Sequence, residues 1–322
     1  FTATITAEGG PVISLRGEPL TATRFVPEDF GQIPLGLWLN AVPMQEVQHG
    51  FQFAADLENC SGYGCIVTTA DFNRVLVAKK GLADAVRLDL YDTGWKRFGM
   101  SAVNDRGWVA VPMASPKQER EVWVIKADGR LAGRIPHPVR TQAILRWRGE
   151  DLFLIHKPGD FEVLRLSLDR LSAVSATLVD PWWHECGKGE ATARAIGLTG
   201  DIPEFLQGWL ELPLYDRKGG PAGKLMVTEA ARPMTSGGFA TPVRAVVDCL
   251  NRINIVTANG EEIWCLRFSP EGNLLQSALL NGAVAGDAKT VQIDSRGRFY
   301  YLSTEMDETG RKPKLLHLVR LE

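Results

Sequence analysis

The stretch Asp294-Ser295-Arg296-Gly297-Arg298-Phe299-Tyr300-Tyr301 joins a tight polar turn to a run of residues that favour β-strands. Gly and Asn tolerate the positive φ that tight hairpins require, and aromatic and β-branched residues suit the strand that follows. Similar stretches, each a polar turn before a β-rich run, occur at residues 70–77, 104–111, 148–155 and 248–255. The recurrence predicts a repeated β-hairpin unit, a signal that takes priority over other interpretations of the chain.

A second series of turns follows the first, at residues 92–94, 127–129, 168–170 and 271–273. In the first series Asn73, Gly107 and Gly149 are 34 and 42 residues apart. In the second series Gly94, Gly129 and Arg170 are 35 and 41 apart, and each series then has a gap of 102 residues. Two series with one period of roughly 40 to 50 residues predict four-stranded antiparallel meanders, the blades of a β-propeller.

The ends of the chain suggest how the ring closes. The last unit shows only three strands, and residues 2–6 (Thr-Ala-Thr-Ile-Thr) form an alternating strand without a nearby partner. We expect residues 2–6 to complete the last blade and remove its exposed edge. Residues 1–322 are therefore predicted to be one all-β propeller domain. Seven blades are favoured, with residues 9–58 as a degenerate blade, and six is the alternative, with those residues as an insertion.

The run Asp294-x-x-Gly-Arg-Phe-Tyr-Tyr-Leu302 resembles the strand pair of NHL and gluconolactonase-like propellers. The resemblance covers one blade well and the others loosely. It implies a propeller fold, and it admits two functions, because those families include lactone hydrolases with a channel-bound divalent metal and members that only bind partners. No complete ligand set of that kind matches here, so no catalytic residue is transferred and no cofactor is predicted; a divalent metal in the channel belongs to the hydrolase alternative alone.

Composition excludes several classes of function. The net charge of −2 argues against nucleic-acid binding, which requires a basic excess. No stretch of about 18 uncharged apolar residues occurs, so no membrane span is predicted. The sequence begins at Phe1 rather than Met, which suggests that a signal peptide or a tag was removed; a signal peptide would mean an extracytoplasmic (periplasmic or secreted) location. The other explanation is that residues before Phe1 are left out of the numbering.

The five cysteines do not have the spacing of a zinc finger or a haem attachment motif. Cys60 and Cys65 flank Ser-Gly-Tyr-Gly, a turn-forming tetrapeptide. In an exported protein these two thiols could form a disulfide; otherwise they are two reduced cysteines in a loop.

The richest local cluster of reactive side chains is Trp182, Trp183, His184 and Glu185, followed by Cys186. Histidine beside a carboxylate and a thiol could bind a metal or act as an acid or base. Neighbours in an extended segment point to opposite faces, which weakens a single site, and the tryptophans also suit a protein contact. The simpler interpretation is a connection between blades.

The turn aspartates Asp71, Asp105, Asp248 and Asp294 recur at one place in the unit. Side chains that recur in this way are expected to cap their own turns rather than catalyse. Whether the protein is an enzyme is left open. The first hypothesis is a non-catalytic propeller that binds another protein chain as an assembly subunit; the alternatives are a metal-dependent, lactonase-like hydrolase at the channel mouth and a subunit of a redox enzyme complex.

Overall fold

The structure is a computed structural model. It describes residues 12–34, 46–47, 50–51, 55–61, 63–69, 74–78, 86–89, 93–137, 144–148, 150–155, 162–177, 195–196, 211–215, 221–228, 231–235, 238–248, 250–260, 262–280, 284, 288–294, 296–306, 308–309 and 313–322. Within these residues the chain is all-β, as predicted, and the helical residues are confined to 3-10 turns such as Ala288–Thr290. None of the described helical segments is long and apolar enough to cross a membrane.

The described strands form six sheets of four or five strands, here numbered I to VI in chain order. Sheet I contains Ala55–Cys60, Cys65–Thr69, Arg74–Ala78 and Val86–Asp89. In sheet II, Lys96–Arg97 and Ala102–Val103 both pair with Val109–Ala114 and are counted together as the first strand. Val109–Ala114, Arg120–Ile125 and Leu131–Pro136 are its second, third and fourth strands. Sheet III contains Ile144–Arg148, Asp151–Ile155, Glu162–Ser167 and Ser172–Thr177.

The other three sheets include strands from near the N-terminus. Sheet IV contains Ala195–Ile196, Glu211–Tyr215, Pro221–Val227 and Val12–Leu15. Sheet V contains Thr241–Val247, Ile253–Asn259, Glu262–Phe268, Leu274–Leu279 and Thr23–Arg24. Sheet VI contains Gln292–Ile293, Phe299–Met306, Pro313–Leu321 and Pro27–Pro34. Two short ribbons pair Glu46–Val47 with Gly50–Phe51 and Met234–Thr235 with Gly238–Phe239.

Sheets I to III, and the strands of sheets IV to VI that follow residue 190, are antiparallel meanders in chain order. This repeated arrangement is consistent with a propeller, as the two turn series predict. The phase of the first unit was wrong, however. Asn73 precedes the third strand of sheet I, and Gly94 lies between sheets I and II, whereas their supposed equivalents Gly107 and Gly129 follow the first and third strands of sheet II. Local turn chemistry does not identify which hairpin of a sheet a turn closes.

The strand beside Pro313–Leu321 is also not the one expected. Pro27–Pro34 pairs antiparallel with it, from Pro27 opposite Leu321 to Pro34 opposite Leu315. Residues 2–6, which were predicted for this place, lie outside the described residues. Instead, residues 12–34 form an N-terminal strap across three sheets, because Val12–Leu15 and Thr23–Arg24 add to sheets IV and V as parallel strands. Residues 12–34 were assigned to a seventh blade, yet they form no sheet of their own.

Adjacent sheets pack face to face through alternating side chains. In the second strand of sheet II, Val109 and Val111 point into the apolar layer shared with sheet I, while Ala110 points into the layer shared with sheet III. Because both faces are covered, the strand is apolar on both sides, as strands buried on two faces are. The indole N–H of Trp147 donates a 3.1 Å hydrogen bond to the Ala102 carbonyl and joins sheet III to sheet II.

The last sheet contacts the first. Tyr300 and Leu318 of sheet VI pack with Leu57 and Val67 of sheet I in one buried cluster. The Gln292 amide also donates a 2.7 Å hydrogen bond to the carbonyl oxygen of Leu57. Residues more than 230 positions apart in sequence therefore share a core, and further apolar layers connect sheets IV with V and V with VI.

Candidate functional site

A groove with a volume of about 800 Å³ lies between sheets II and III, and we call it the II–III groove. Its walls come from the first turns of the two sheets, around Asn104 and Glu150, and from the ends of their third strands, at Lys126 and Arg165. In an antiparallel meander these two turns lie at the same end of the sheet. The groove is therefore a product of the repeat rather than an insertion into it.

The first turn of sheet II is built around the buried side chain of Asn104. Its Oδ1 accepts hydrogen bonds from the backbone N–H groups of Arg106 at 3.0 Å and Trp108 at 2.9 Å. Gly107 adopts a φ of +77°, which L-residues rarely adopt, and packs against the ring of Tyr63 in sheet I. This turn fixes the backbone from which the Arg106 and Trp108 side chains enter the groove.

The first turns of sheets V and VI are capped by a side-chain oxygen in the same way, which confirms the capping role predicted for Asp248 and Asp294. Asp248 Oδ1 accepts from the N–H groups of Leu250 and Arg252, and Asp294 Oδ1 accepts from those of Arg296 and Arg298. In sheet II the capping residue is Asn104 and not the predicted Asp105, which is exposed. Asp71 lies outside the described residues.

The sheet II wall carries an aromatic platform. The Trp108 ring is partly exposed, and the Lys126 Nζ lies 5.7 Å from its centroid, within range of a cation–π interaction. Ala132, from the fourth strand, adds an apolar surface to this wall. Lys126 is exposed and forms no ion pair among the described residues.

The sheet III wall is held in place by one ion pair and one close packing contact. The Arg165 guanidinium binds Asp151, with Nε 3.1 Å from Oδ1. The hairpin after the third strand, residues 167–171, packs over sheet II at Gly133, where a Cβ atom would lie 3.1 Å from Leu171 Cδ2. This hairpin brings Asp169 and Arg170, both exposed, to the rim of the groove.

An ion pair between Arg106 and Glu150 crosses from one wall to the other. The two side chains are 64% and 70% exposed, so water and salt screen their attraction. Such exposed pairs contribute about 0 to 1 kcal/mol. The pair is thus an exchangeable contact that a ligand can displace at little energetic cost.

The lining contains both signs of charge. Four cations, Arg106, Lys126, Arg165 and Arg170, face three carboxylates, Glu150, Asp151 and Asp169. Two of the carboxylates are already engaged by Arg106 and Arg165. Within the described residues, Lys126 and Arg170 on opposite walls are left as cations without a carboxylate partner, against Asp169 as the only unpaired anion of the lining.

A second polar cluster lies at the junction of sheets V and VI, but it is buried. Arg267 is 5% exposed and donates to Asn254 Oδ1 at 3.0 Å and to the Gly297 carbonyl at 2.6 Å. Burial, together with the nearby charge of Arg252, lowers the pKa of Arg267 to about 10. The guanidinium is therefore still charged at neutral pH, and the cluster joins two sheets rather than offering a reactive group to solvent.

The cysteine prediction is confirmed in its disulfide form. Cys60 and Cys65 are opposite one another in the first hairpin of sheet I and form a disulfide with their Cα atoms 4.1 Å apart. Cys265 is a buried free thiol whose pKa is raised by burial.

The predicted cluster of reactive side chains lies outside the described residues, so its role stays a prediction; it consists of Trp182, Trp183, His184 and Glu185. Among the residues that the structure does describe, no group of three or more His, Cys, Asp or Glu side chains could hold a metal ion.

His317 binds two carboxylates. Its Nδ1 lies 3.1 Å from Asp29 Oδ2 in the N-terminal strap. Its Nε2 lies 3.0 Å from Glu305 Oε2 in Phe299–Met306, the strand of sheet VI that pairs with the strand of His317. Burial alone would lower the pKa of His317, but the two hydrogen bonds and their charges outweigh it, and the pKa is raised above the ordinary value.

Sequence reasoning missed the II–III groove. The signals were present as a Trp directly after a Gly-containing turn and as charged residues at both turn positions of two consecutive units. What the sequence does not contain is the face-to-face placement of those turns, because it depends on the packing of sheet III on sheet II.

No family model matches the chain, and no curated protein matches it in sequence. Among solved structures, the chain is similar to a member of the DUF4221 family from Bacteroides vulgatus, with 10% identity and a TM-score of 0.48 over 94% of this chain and 99% of that one. It is also similar to apo AztD from Citrobacter koseri, with 12% identity and a TM-score of 0.39 over 83% and 89%. The Dos1 propeller has 11% identity and a TM-score of 0.32 over 94% and 76%. The resemblance to NHL and gluconolactonase-like propellers stays a prediction.

Proposed function

We propose that the protein is a non-catalytic propeller that binds another protein chain, and that the II–III groove is its binding site. The observation that carries the proposal is the pairing of the partly exposed Trp108 ring with arginines on both walls. Tryptophan and arginine dominate the energetics of protein interfaces, and mixed charges at the rim give an interface its specificity. The metal-dependent hydrolase is the alternative, and would need at least three convergent ligands from different sheets.

We further propose a ring of six blades, closed by the contact of sheet VI with sheet I and by the N-terminal strap. The shared cluster of Tyr300, Leu318, Leu57 and Val67 supports this closure. An extracytoplasmic location is proposed on the basis of the Cys60–Cys65 disulfide, since such bonds persist in oxidising compartments. A propeller with a groove between two of its blades suits a subunit that holds a partner.

The binding site can be tested by selecting a random dodecapeptide display library on the immobilised protein. Trp108→Ala removes the aromatic side chain from the groove, whereas Ala132→Gln places a larger side chain in it and blocks it. We expect clones that bind the wild-type protein and lose binding to both variants. Leu131→Gln is the matched control, because Leu131 is 47% exposed and does not line the groove.

Clones that bind all three variants equally would place recognition elsewhere and overturn the proposal. Thermal unfolding of each variant separates loss of the groove from loss of the fold. The hydrolase alternative is tested separately by metal analysis of the purified protein and by assay with simple lactones and esters. A stoichiometric divalent ion together with turnover would favour it over a binding role.

A further inference from the structure

We propose that the II–III groove selects an extended peptide segment with acidic side chains. This inference rests on the proposed function and specifies its partner. It is carried by two cations that form no ion pair with any described residue, Lys126 on the sheet II wall and Arg170 on the sheet III wall. A ligand with carboxylates satisfies both walls at once, whereas among the described lining residues a basic ligand meets only Asp169 as an unpaired carboxylate.

The exchangeable Arg106–Glu150 pair adds a third cation to the site. When a peptide carboxylate replaces Glu150 at Arg106, one exposed ion pair is exchanged for another, and the displaced Glu150 side chain returns to water. Glu150 therefore competes with the ligand for Arg106. We therefore expect that removing the charge of Glu150 increases the affinity of the groove for the peptide.

The extended conformation follows from the two kinds of surface in the groove. Ala132 and Leu168 are partly exposed and provide apolar lining, whereas Lys126 and Arg170 are exposed to solvent at the groove. Side chains alternate direction along an extended chain, so apolar residues can contact the lining while acidic residues between them meet the cations. A nucleic acid fits this site less well, because it presents a phosphate at every nucleotide to a groove lined by three carboxylates, whereas a peptide can place apolar residues between its acidic ones.

The experiment uses the clones that depend on the groove in the display selection. Enrichment of Asp and Glu among them over the unselected library is expected. The most enriched sequence is then made as a fluorescein-labelled peptide and titrated by fluorescence anisotropy. Lys126→Ala combined with Arg170→Ala should weaken binding about tenfold or more, while Glu150→Gln should tighten it by up to about fivefold.

Arg130→Ala is the matched control, since Arg130 is an exposed arginine in the same hairpin as Lys126 but does not line the groove. Groove-dependent clones without acidic enrichment would overturn this inference and leave the proposed function intact. The absence of any groove-dependent clone would overturn both. Tighter binding of a labelled single-stranded oligonucleotide than of the peptide, with the same dependence on Lys126 and Arg170, would assign the groove to nucleic acid instead.

Discussion

Arg267 of sheet V donates a 2.6 Å hydrogen bond from Nη2 to the carbonyl oxygen of Gly297, which lies in the first turn of sheet VI. The same guanidinium is held by Asn254 in its own sheet and stacks 4.8 Å from the Phe25 ring of the N-terminal strap. One buried cation thus connects two sheets and the strap.

Arg267→Ala should destabilise the protein by about 3 to 5 kcal/mol, because it leaves Asn254 Oδ1 and the Gly297 carbonyl without their buried donor and removes a charge near Asp248 and Asp294. Urea unfolding followed by circular dichroism measures the change. Arg130→Ala, at a side chain that is 85% exposed, should stay within about 0.5 kcal/mol of the wild-type protein. Equal effects of the two substitutions would refute the structural role of Arg267.

Gly297→Ala is expected to cost more than Gly129→Ala, although both glycines have positive φ, +76° and +83°. A Cβ at residue 297 would overlap Asp248 Oδ2 and lie 2.7 Å from Asn254 Nδ2, whereas a Cβ at residue 129 meets nothing within 4 Å. Gly129→Ala should cost about 1 kcal/mol from the backbone alone. Gly297→Ala should add about 1 to 3 kcal/mol for overpacking. Paired denaturation curves test the difference.

The stability of sheet VI should depend on pH through His317. Its pKa is higher in the folded protein than in the unfolded chain, so protonation of His317 favours folding. The contribution is fully present below the unfolded pKa of about 6.5 and is lost as the pH rises through the higher folded value, provided that Asp29 and Glu305 are ionised.

The check on His317 is thermal unfolding between about pH 5 and about pH 9, a range that brackets the ordinary histidine pKa. His317→Gln should remove this component of the pH dependence, and Asp29→Asn should reduce it. An unchanged profile in His317→Gln would show that other groups set the dependence.

Loss of the Cys60–Cys65 disulfide should have a moderate effect, since the bond closes a small loop. Chain-entropy arguments give about 2 kcal/mol for a loop of this size. We expect Cys60→Ala combined with Cys65→Ala to lower the denaturation midpoint, and dithiothreitol to lower that of the wild-type protein but not of the variant. A midpoint that dithiothreitol leaves unchanged in the wild-type protein would mean that the bond contributes nothing to stability.

The sequence was most informative for features that depend on contacts between residues close together in the chain. Asp248 and Asp294 cap backbone groups two and four residues away, and Cys60 and Cys65 meet across one short turn; such features follow from local chemistry. The phase error at Asn73 arose because the same turn chemistry suits either hairpin of a sheet. The true first turn of sheet I, residues 61–64, was used in the sequence analysis only to predict a disulfide between the cysteines on either side of it.

The strap and the groove could not be predicted, because both depend on contacts distant in sequence. Phe30 packs with Tyr300 and Leu318, and no local pattern identifies such partners. The II–III groove likewise requires the contact of Leu171 with Gly133, which exists only once two sheets are stacked.

The N-terminal strap has a consequence for the order in which the protein is made. Residues 12–34 are synthesised before their partner strands, which end at Val227, Leu279 and Leu321. At a translation rate of about 5 to 20 residues per second, roughly 15 to 60 s pass between the synthesis of the strap and the synthesis of its last partner strand. Sheets I to III can form during that interval, whereas sheets IV, V and VI are completed one after another as Val227, Leu279 and Leu321 are synthesised. Completion of sheet VI is thereby tied to the synthesis of Pro313–Leu321, the last strand that pairs with the strap.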